Sequence, residues 1–199
     1  IYAHGVNWGW DPVTYANSNY GHALVQADNL TFRSGSGRGL TLNILSESAA
    51  GILEERHEER FDTYGANTHT NFTTACNDLA AVLTGSEYAT GKHLEESDIV
   101  VLTSYDAVKW TQTLVDAIKT CGGTNPRNRQ NLSQSLGDPN LWSYTDYVRT
   151  PYVLIGQSGS GAGSGMETVG FYHGLKPATG FAFYKNGVIS TTAGGPGTS

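Results

Sequence analysis

The chain places its most suggestive residues in a glycine-rich run, YVLIGQSGSGAGSG, at 152–165. A short apolar stretch entering such a run suits three tasks: cradling a phosphate, exposing a nucleophile, or turning the chain. A P-loop needs G-x-x-x-x-G-K-[ST], whose lysine meets the terminal phosphates; here no lysine follows Gly156 until Lys176. A dinucleotide fingerprint needs a helix after its glycines, and METVGFYHG at 166–174 has no helical stripe. An esterase elbow needs G-x-S-x-G. None of Ser158, Ser160 and Ser164 has glycine both two residues before and two residues after it. The run is therefore expected to be a flexible turn or part of a ligand- or partner-facing rim, its glycines allowing positive φ and close backbone approach.

Metal and acid–base chemistry is no better supplied. His57 opens HEERF, with Phe61 where H-E-x-x-H requires the second histidine. His69 and His93 have no acidic triad at ligand spacing. Glu54, Glu55, Glu58 and Glu59 pair up in ILEERHEER; on a regular strand Glu54 and Glu58 would share a face, and a solvated edge explains them more cheaply than general acid–base work. Asn29, Asn71 and Asn131 open N-x-[ST] sequons, a weak signal in a chain rich in these residues. The aromatic residues remain. Trp8, Trp10, Tyr15, Trp142, Tyr144 and Tyr147 sit among Gly, Asn and Asp. Flat rings beside amides and carboxylates suit sugars, stacking on C–H faces while polar groups bond hydroxyls. The competing reading is that each ring fills a core or a subunit contact.

The elements that must position these residues are legible from periodicity. The chain has 199 residues, 38% apolar and only 15% charged, with 25 glycines, 11 tyrosines and a net charge of −6. That is enough for one domain with a full core. Without a basic stripe, a nucleic-acid partner is not expected, and no apolar run reaches the roughly 20 residues of a membrane span. The start at Ile1 is read as a mature product or a segment of something longer. Residues 1–22 show no clean period. ALVQADNLTFRS (23–34) and GLTLNILSES (39–48) read as strands, and GILEERHEERFDTYG (51–65) as a charged hairpin partner at an edge. An amphipathic helix is expected in 68–85, its stripe Phe72, Ala75, Cys76, Leu79, Ala80 and Leu83, capped by Thr70 or Asn71 and ended by Gly85. SDIVVLTSYD (97–106) and TPYVLIG (150–156) read as buried strands, and 107–123 as a second helix. This alternation predicts a parallel or mixed sheet. Asn186-Gly187 between β-formers predicts a two-residue hairpin. The terminal GGPGTS reads as two Gly-X-Y triplets. Cys76 and Cys121 are expected as buried thiols; a disulfide would need Cα atoms within about 7 Å.

Taken in order, Gly37-Arg38-Gly39 opening a strand, Phe61-Asp62-x-Tyr64-Gly65 closing a hairpin, VVLTSYD leading into a helix that ends in CGG, and Arg149-x-x-Tyr152-Val153 running into glycine resemble the interleukin-like EMT inducer/PANDER (GG) domain over about residues 24–166. The resemblance implies a compact sandwich-like α/β domain with a mixed β-sheet and two main α-helices, with no catalytic machinery. Animal members include secreted cytokine-like proteins and sugar-binding modules attached to glycan-processing enzymes, and similar domains occur in bacteriophage tail fibres. Cys76 and Cys121 do not match the animal disulfide positions, and GQSGSGAGSG lacks the lysine of the animal Gly-Lys-Gly, so neither feature carries over. The expected organisation is an aromatic arm at 1–23, the domain at 24–170, and a hairpin and tail at 171–199. The expected function is a non-enzymatic extracellular or virion-surface module that binds surface glycan or receptor within a fibre, with Trp8, Trp10, Tyr15, Trp142 and Tyr144 as the carbohydrate-binding residues. It would associate with copies of itself or fibre neighbours and need no cofactor. The rivals are a self-assembling filament subunit and a glycan hydrolase using Asp62, Asp106 or Asp146.

Overall fold

A computed structural model describes residues 1–5, 24–27, 30–32, 37–65, 71–86, 93–126, 151–169 and 178–190. Its strands are β1 (Tyr2–Gly5), β2 (Leu24–Ala27), β3 (Leu30–Phe32), β4 (Gly39–Glu47), β5 (Leu53–Phe61), β6 (Ile99–Tyr105), β7 (Tyr152–Gln157), β8 (Met166–Val169), β9 (Ala178–Phe181), β10 (Phe183–Lys185) and β11 (Val188–Ser190). Its helices are α1 (Phe72–Leu83), between β5 and β6, and α2 (Gln112–Thr120), between β6 and β7. The fold is mixed α/β, with a five-stranded sheet in the order β5-β4-β6-β7-β8, a four-stranded sheet β3-β2-β1-β9 and the hairpin β10-β11.

Strand alternation divides the core in two. Leu40, Leu42, Ile44, Val100, Leu102, Tyr152 and Leu154 face α1 and α2, whose buried stripes include Cys76, Leu79, Leu114 and Ile118. The intervening Leu45, Ile99, Val101, Val153 and Ile155 face the other way and pack with Ala3, Val25, Ala27 and Ala178 of the four-stranded sheet. The five-stranded sheet is thus the middle of three layers. That is why β6 and β7 read as continuous apolar runs: both faces are covered.

The parallel or mixed sheet expected from the alternation is not what forms. Every pairing among the described strands is antiparallel. Two-sided burial comes from a second sheet rather than from helices on both faces, and the two causes look alike in sequence. The stretch 23–34 is two short strands paired as a hairpin, Val25 opposite Phe32, not one strand. The β8 and β9 strands, too short to show a period, went unread, and β1 within the irregular first segment lies between β2 and β9. The second helix is shorter than 107–123. Asp106 turns the chain at φ 60, the Lys109 amide donates to Thr63 O at 3.0 Å, and Thr111 caps a helix that begins only at Gln112, its hydroxyl accepting from Leu114 N at 3.2 Å. The first helix starts where expected, with Asn71 Oδ1 accepting from Thr74 N at 2.9 Å.

Strand β5 is an edge, as its charges imply, but it is not regular. Ile44 pairs with His57 and Leu45 with Glu55, so Arg56 is the extra residue of a bulge. The bulge reverses the side-chain alternation. Glu54 pairs with Ser46 and Glu58 with Asn43, residues on opposite faces of β4, so the two glutamates do not share a face. The Asn186-Gly187 turn forms as expected, at φ 52 and 80. Cys76 and Cys121 remain buried thiols.

Candidate functional site

One end of the two packed sheets gathers most of the chain's connections. β4 starts there and β5, β6 and β8 end there, with Gly39 opposite Tyr105, Leu40 opposite Phe61 and Tyr152 opposite Val169. In the second sheet Gly5 pairs with Ala178 and His4 with Leu24 at the same end. The sheets touch at Gly5, where an added Cβ would strike Tyr152 O and Ser104 N. Connections 6–23, 33–36, 66–70 and 170–177 therefore leave from and return to this end, and 127–150 rejoins it at Pro151.

The two glycine-flanked motifs of the sequence meet here. The Leu40–Phe61 register sets the residue before β4 beside the residue after β5. Arg38 Nε and Nη2 donate to Asp62 Oδ1 and Oδ2, both at 3.1 Å. Asp62, fully buried, also accepts from Gly65 N at 2.8 Å and Tyr64 N at 3.3 Å. The glycines are required by this closeness: Gly39 sits at φ 114 against Phe61 O, and a Cβ on Gly65 would run into Arg38 Nη2. The Asp62 hydrogen bonds raise the Arg38 pKa, against a smaller opposing effect of desolvation. A buried carboxylate with a bidentate guanidinium and two backbone donors has little hydrogen-bonding capacity left for chemistry.

Around this pair lies a partly exposed cluster of cations and rings. Arg38 stacks at 5.0 Å from the Tyr64 centroid. Lys109 Nζ lies 4.7 Å from both the Tyr64 and the Phe72 centroids. Arg60 Nη1 donates to Arg38 O at 3.3 Å. Among the described residues neither Arg60 nor Lys109 has a carboxylate partner. Thr63, fully buried between Asp62 and Tyr64, leaves its hydroxyl without a hydrogen-bond partner. Trp110 packs edge-on against Tyr152, centroids 4.9 Å apart, and closes the core behind the cluster. Sequence reading passed over Lys109 and Arg60, because nothing local marks a lysine whose partners arrive from β5 and α1.

Trp8, Trp10, Tyr15, Trp142 and Tyr144, the residues expected to bind carbohydrate, lie outside the described residues, as do Tyr147, Asp146 and the terminal GGPGTS. What the described residues do place is the anchors of those segments. Gly5, which precedes Trp8 and Trp10, and Tyr152, which follows Trp142 and Tyr144, are in contact at the end just described.

The opposite end is closed differently. Arg56 binds Asp98, pairs with Glu95 at 3.3 Å and donates to His93 O at 2.9 Å. Asp98 also accepts from Ser46 Oγ and from Glu95 N. The glycine-rich run is here and turns the chain, one of the two forms expected, with residues 159–164 exposed and its flanks hydrogen-bonded. Gly163 and Gly165 donate to Gly122 O at 3.1 and 2.9 Å, and Gln157 N donates to Cys121 O at 3.2 Å. A Cβ on Gly156 would strike the Cys121 carbonyl oxygen. Glu167, buried beside this end, accepts from Tyr152 Oη at 2.8 Å, from Thr124 N at 3.1 Å and from the Thr124 hydroxyl. The run is connecting backbone stapled to the CGG turn. Elsewhere His57 meets only Glu59, at 3.1 Å, and no group of three or more His, Cys, Asp or Glu suited to a metal occurs among the described residues. A groove of ≈ 610 Å³ between α1 and α2 is lined by small and polar residues such as Ala81, Thr84 and Thr113. No helix among the described residues is long and apolar enough to cross a membrane. No family model matches the chain, and no curated protein matches it.

Proposed function

We propose that the chain is a non-enzymatic extracellular recognition module of the interleukin-like EMT inducer/PANDER type, binding surface glycan or receptor within a phage tail fibre or a similar surface fibre. The observation that carries this reading is the convergence of anchors. The segments holding Trp8, Trp10 and Tyr15 and those holding Trp142 and Tyr144 are tethered to touching backbone at the loop-rich end. Loops gathered on one end of a rigid scaffold are the usual place for binding residues. Of the carboxylates named for a hydrolase, Asp62 supports binding over hydrolysis, since it is engaged by Arg38 and two backbone amides. A glycan array tests the reading. The wild-type chain should give signal that Trp10→Ala and Trp142→Ala abolish while melting as wild type. A dark array for the wild type, or sugar released by it, defeats the proposal.

A second reading, self-assembly, is favoured by the tail hairpin. Phe181, Phe183 and Val188 are exposed, and the two phenylalanine rings pack edge to face at 4.8 Å. The hairpin is fastened to the body by Tyr184 Oη donating to Glu47 and by Gln157 Nε2 donating to Gly187 O. Apolar side chains held out on a fixed strand fit a subunit contact. Sedimentation of Phe181→Ser/Phe183→Ser decides it: oligomers that dissociate support assembly, and unchanged mass removes it.

A further inference from the structure

We infer that the ligand of the loop-rich end carries an anionic group, so that within the recognition reading, on which this rests, the preferred glycans are acidic ones bearing carboxylate or sulfate. Two independent features give this end positive potential in a chain of net charge −6. The first is the side chains. Arg38 takes up Asp62 and also feels the Asp106 carboxylate, while Arg60 donates to Arg38 O and Lys109 shares the Tyr64 ring with Arg38. Arg60 and Lys109 have no carboxylate partner among the described residues. The second is the helices. α1 and α2 run side by side in the same direction: Cys121 Sγ and Thr120 Oγ1 at the end of α2 both donate to Leu83 O at the end of α1. Both amino termini therefore point to the loop-rich end, and neither helix has an acidic residue in its first turn. Acidic residues are the usual complement to that partial positive charge. Beside them the buried Thr63 hydroxyl, a neutral group, has no hydrogen-bond partner.

The chemistry of recognition follows. Lys109 is held by two aromatic rings rather than by a carboxylate. That contact orients the ammonium without neutralising it, leaving its charge for a ligand. Tyr64 and Phe72 give apolar ring surface beside the cations, which suits a sugar whose acidic group must be paired. The opposite end offers no such surplus, because Arg56 there is matched by both Asp98 and Glu95.

The test is a glycan array carrying matched neutral, sialylated, uronic-acid and sulfated members, read with the full chain at low and at raised salt. Acidic members should bind at least about tenfold tighter than their neutral counterparts at low salt, with the ratio shrinking as salt screens the charges. Lys109→Ala and Arg60→Gln should each cut that preference, read as the ratio of acidic to neutral binding, by about three- to tenfold. Lys185→Ala, on the tail hairpin, should leave it intact. Melting curves of all variants verify folding. Binding of neutral and acidic members alike, or a preference that survives both substitutions, overturns the inference while the recognition reading stands. No binding to any member defeats both. Whether sulfated or carboxylated members lead distinguishes the two anions.

Discussion

Two buried aspartates close opposite ends of the same sheet, each against an arginine, and their surroundings differ. At the tight end Asp98 holds Arg56 with help from Ser46 and the Glu95 amide, Glu95 adds a second carboxylate, and the glycine-rich connection is hydrogen-bonded to the Gly122 carbonyl. At the loop-rich end Asp62 holds Arg38, but Arg60 and Lys109 stand by with no carboxylate of their own, and several longer connections begin and finish there. The first arrangement spends its charge on the fold. The second keeps charge and aromatic surface beyond what the fold needs. Surplus polar groups on loops over a rigid base are where ligand recognition is expected, whereas glycines that are merely numerous, as in 156–165, can belong entirely to scaffold.

The contrast can be broken most sharply at the tight end. Gly156→Ala forces a side chain into the Cys121 carbonyl oxygen and should cost about 3 kcal/mol, lowering Tm by roughly 10 °C; a wild-type melt would show that the glycine run is not stapled. At the other end Arg38→Ala leaves Asp62 buried without its guanidinium and should cost about 2–3 kcal/mol by denaturant titration. Arg38→Lys should recover less than half, because a lysine cannot make the bidentate contact. An Arg38→Lys variant as stable as wild type would mean that the pair is only electrostatic.

A pH series sharpens the same comparison. Burial pushes the Cys121 thiol up from 9.0 to about 11. The unfolded chain ionises that thiol first, so its contribution is complete below pH 9 and is lost as pH rises toward about 11. Cys121→Ala should flatten the wild-type decline in that window, and an unaltered slope would contradict the assignment. The smallest effect belongs to the loop-rich surface. Lys109→Ala gives up only cation–π contacts and should cost about 0.5 kcal/mol; a loss several times larger would make Lys109 part of the frame rather than of a binding face.

What the sequence revealed followed from how local each cause was. The stripe from Phe72 to Leu83, the buried runs of β6 and β7 and the Asn186-Gly187 hairpin are set by neighbours a few residues apart, and they were legible. The antiparallel pairing was hidden because a covering sheet and a covering helix leave the same apolar run. The Arg56 bulge was hidden because nothing in ILEERHEER marks the extra residue, which puts Glu54 and Glu58 on opposite faces. The late start of α2 depends on Lys109 N finding Thr63 O across the fold. The Arg38–Asp62 contact joins residues 24 apart in sequence; both motifs were visible, but their meeting needs the β4–β5 register. Cys76 and Cys121 were read correctly as buried: Cys76 lies on the apolar stripe of α1, and Cys121, at the C-cap of α2, still packs into the same core.

The central claim is that recognition belongs to the loop-rich end. Hydrogen–deuterium exchange of the full chain, alone and saturated with the array's strongest glycan, tests it most directly. The account predicts slowed exchange at residues 37–39, 62–65 and 106–111, with none at 156–165. Protection of the glycine run, or an unchanged pattern at the Arg38–Asp62 end, would contradict it.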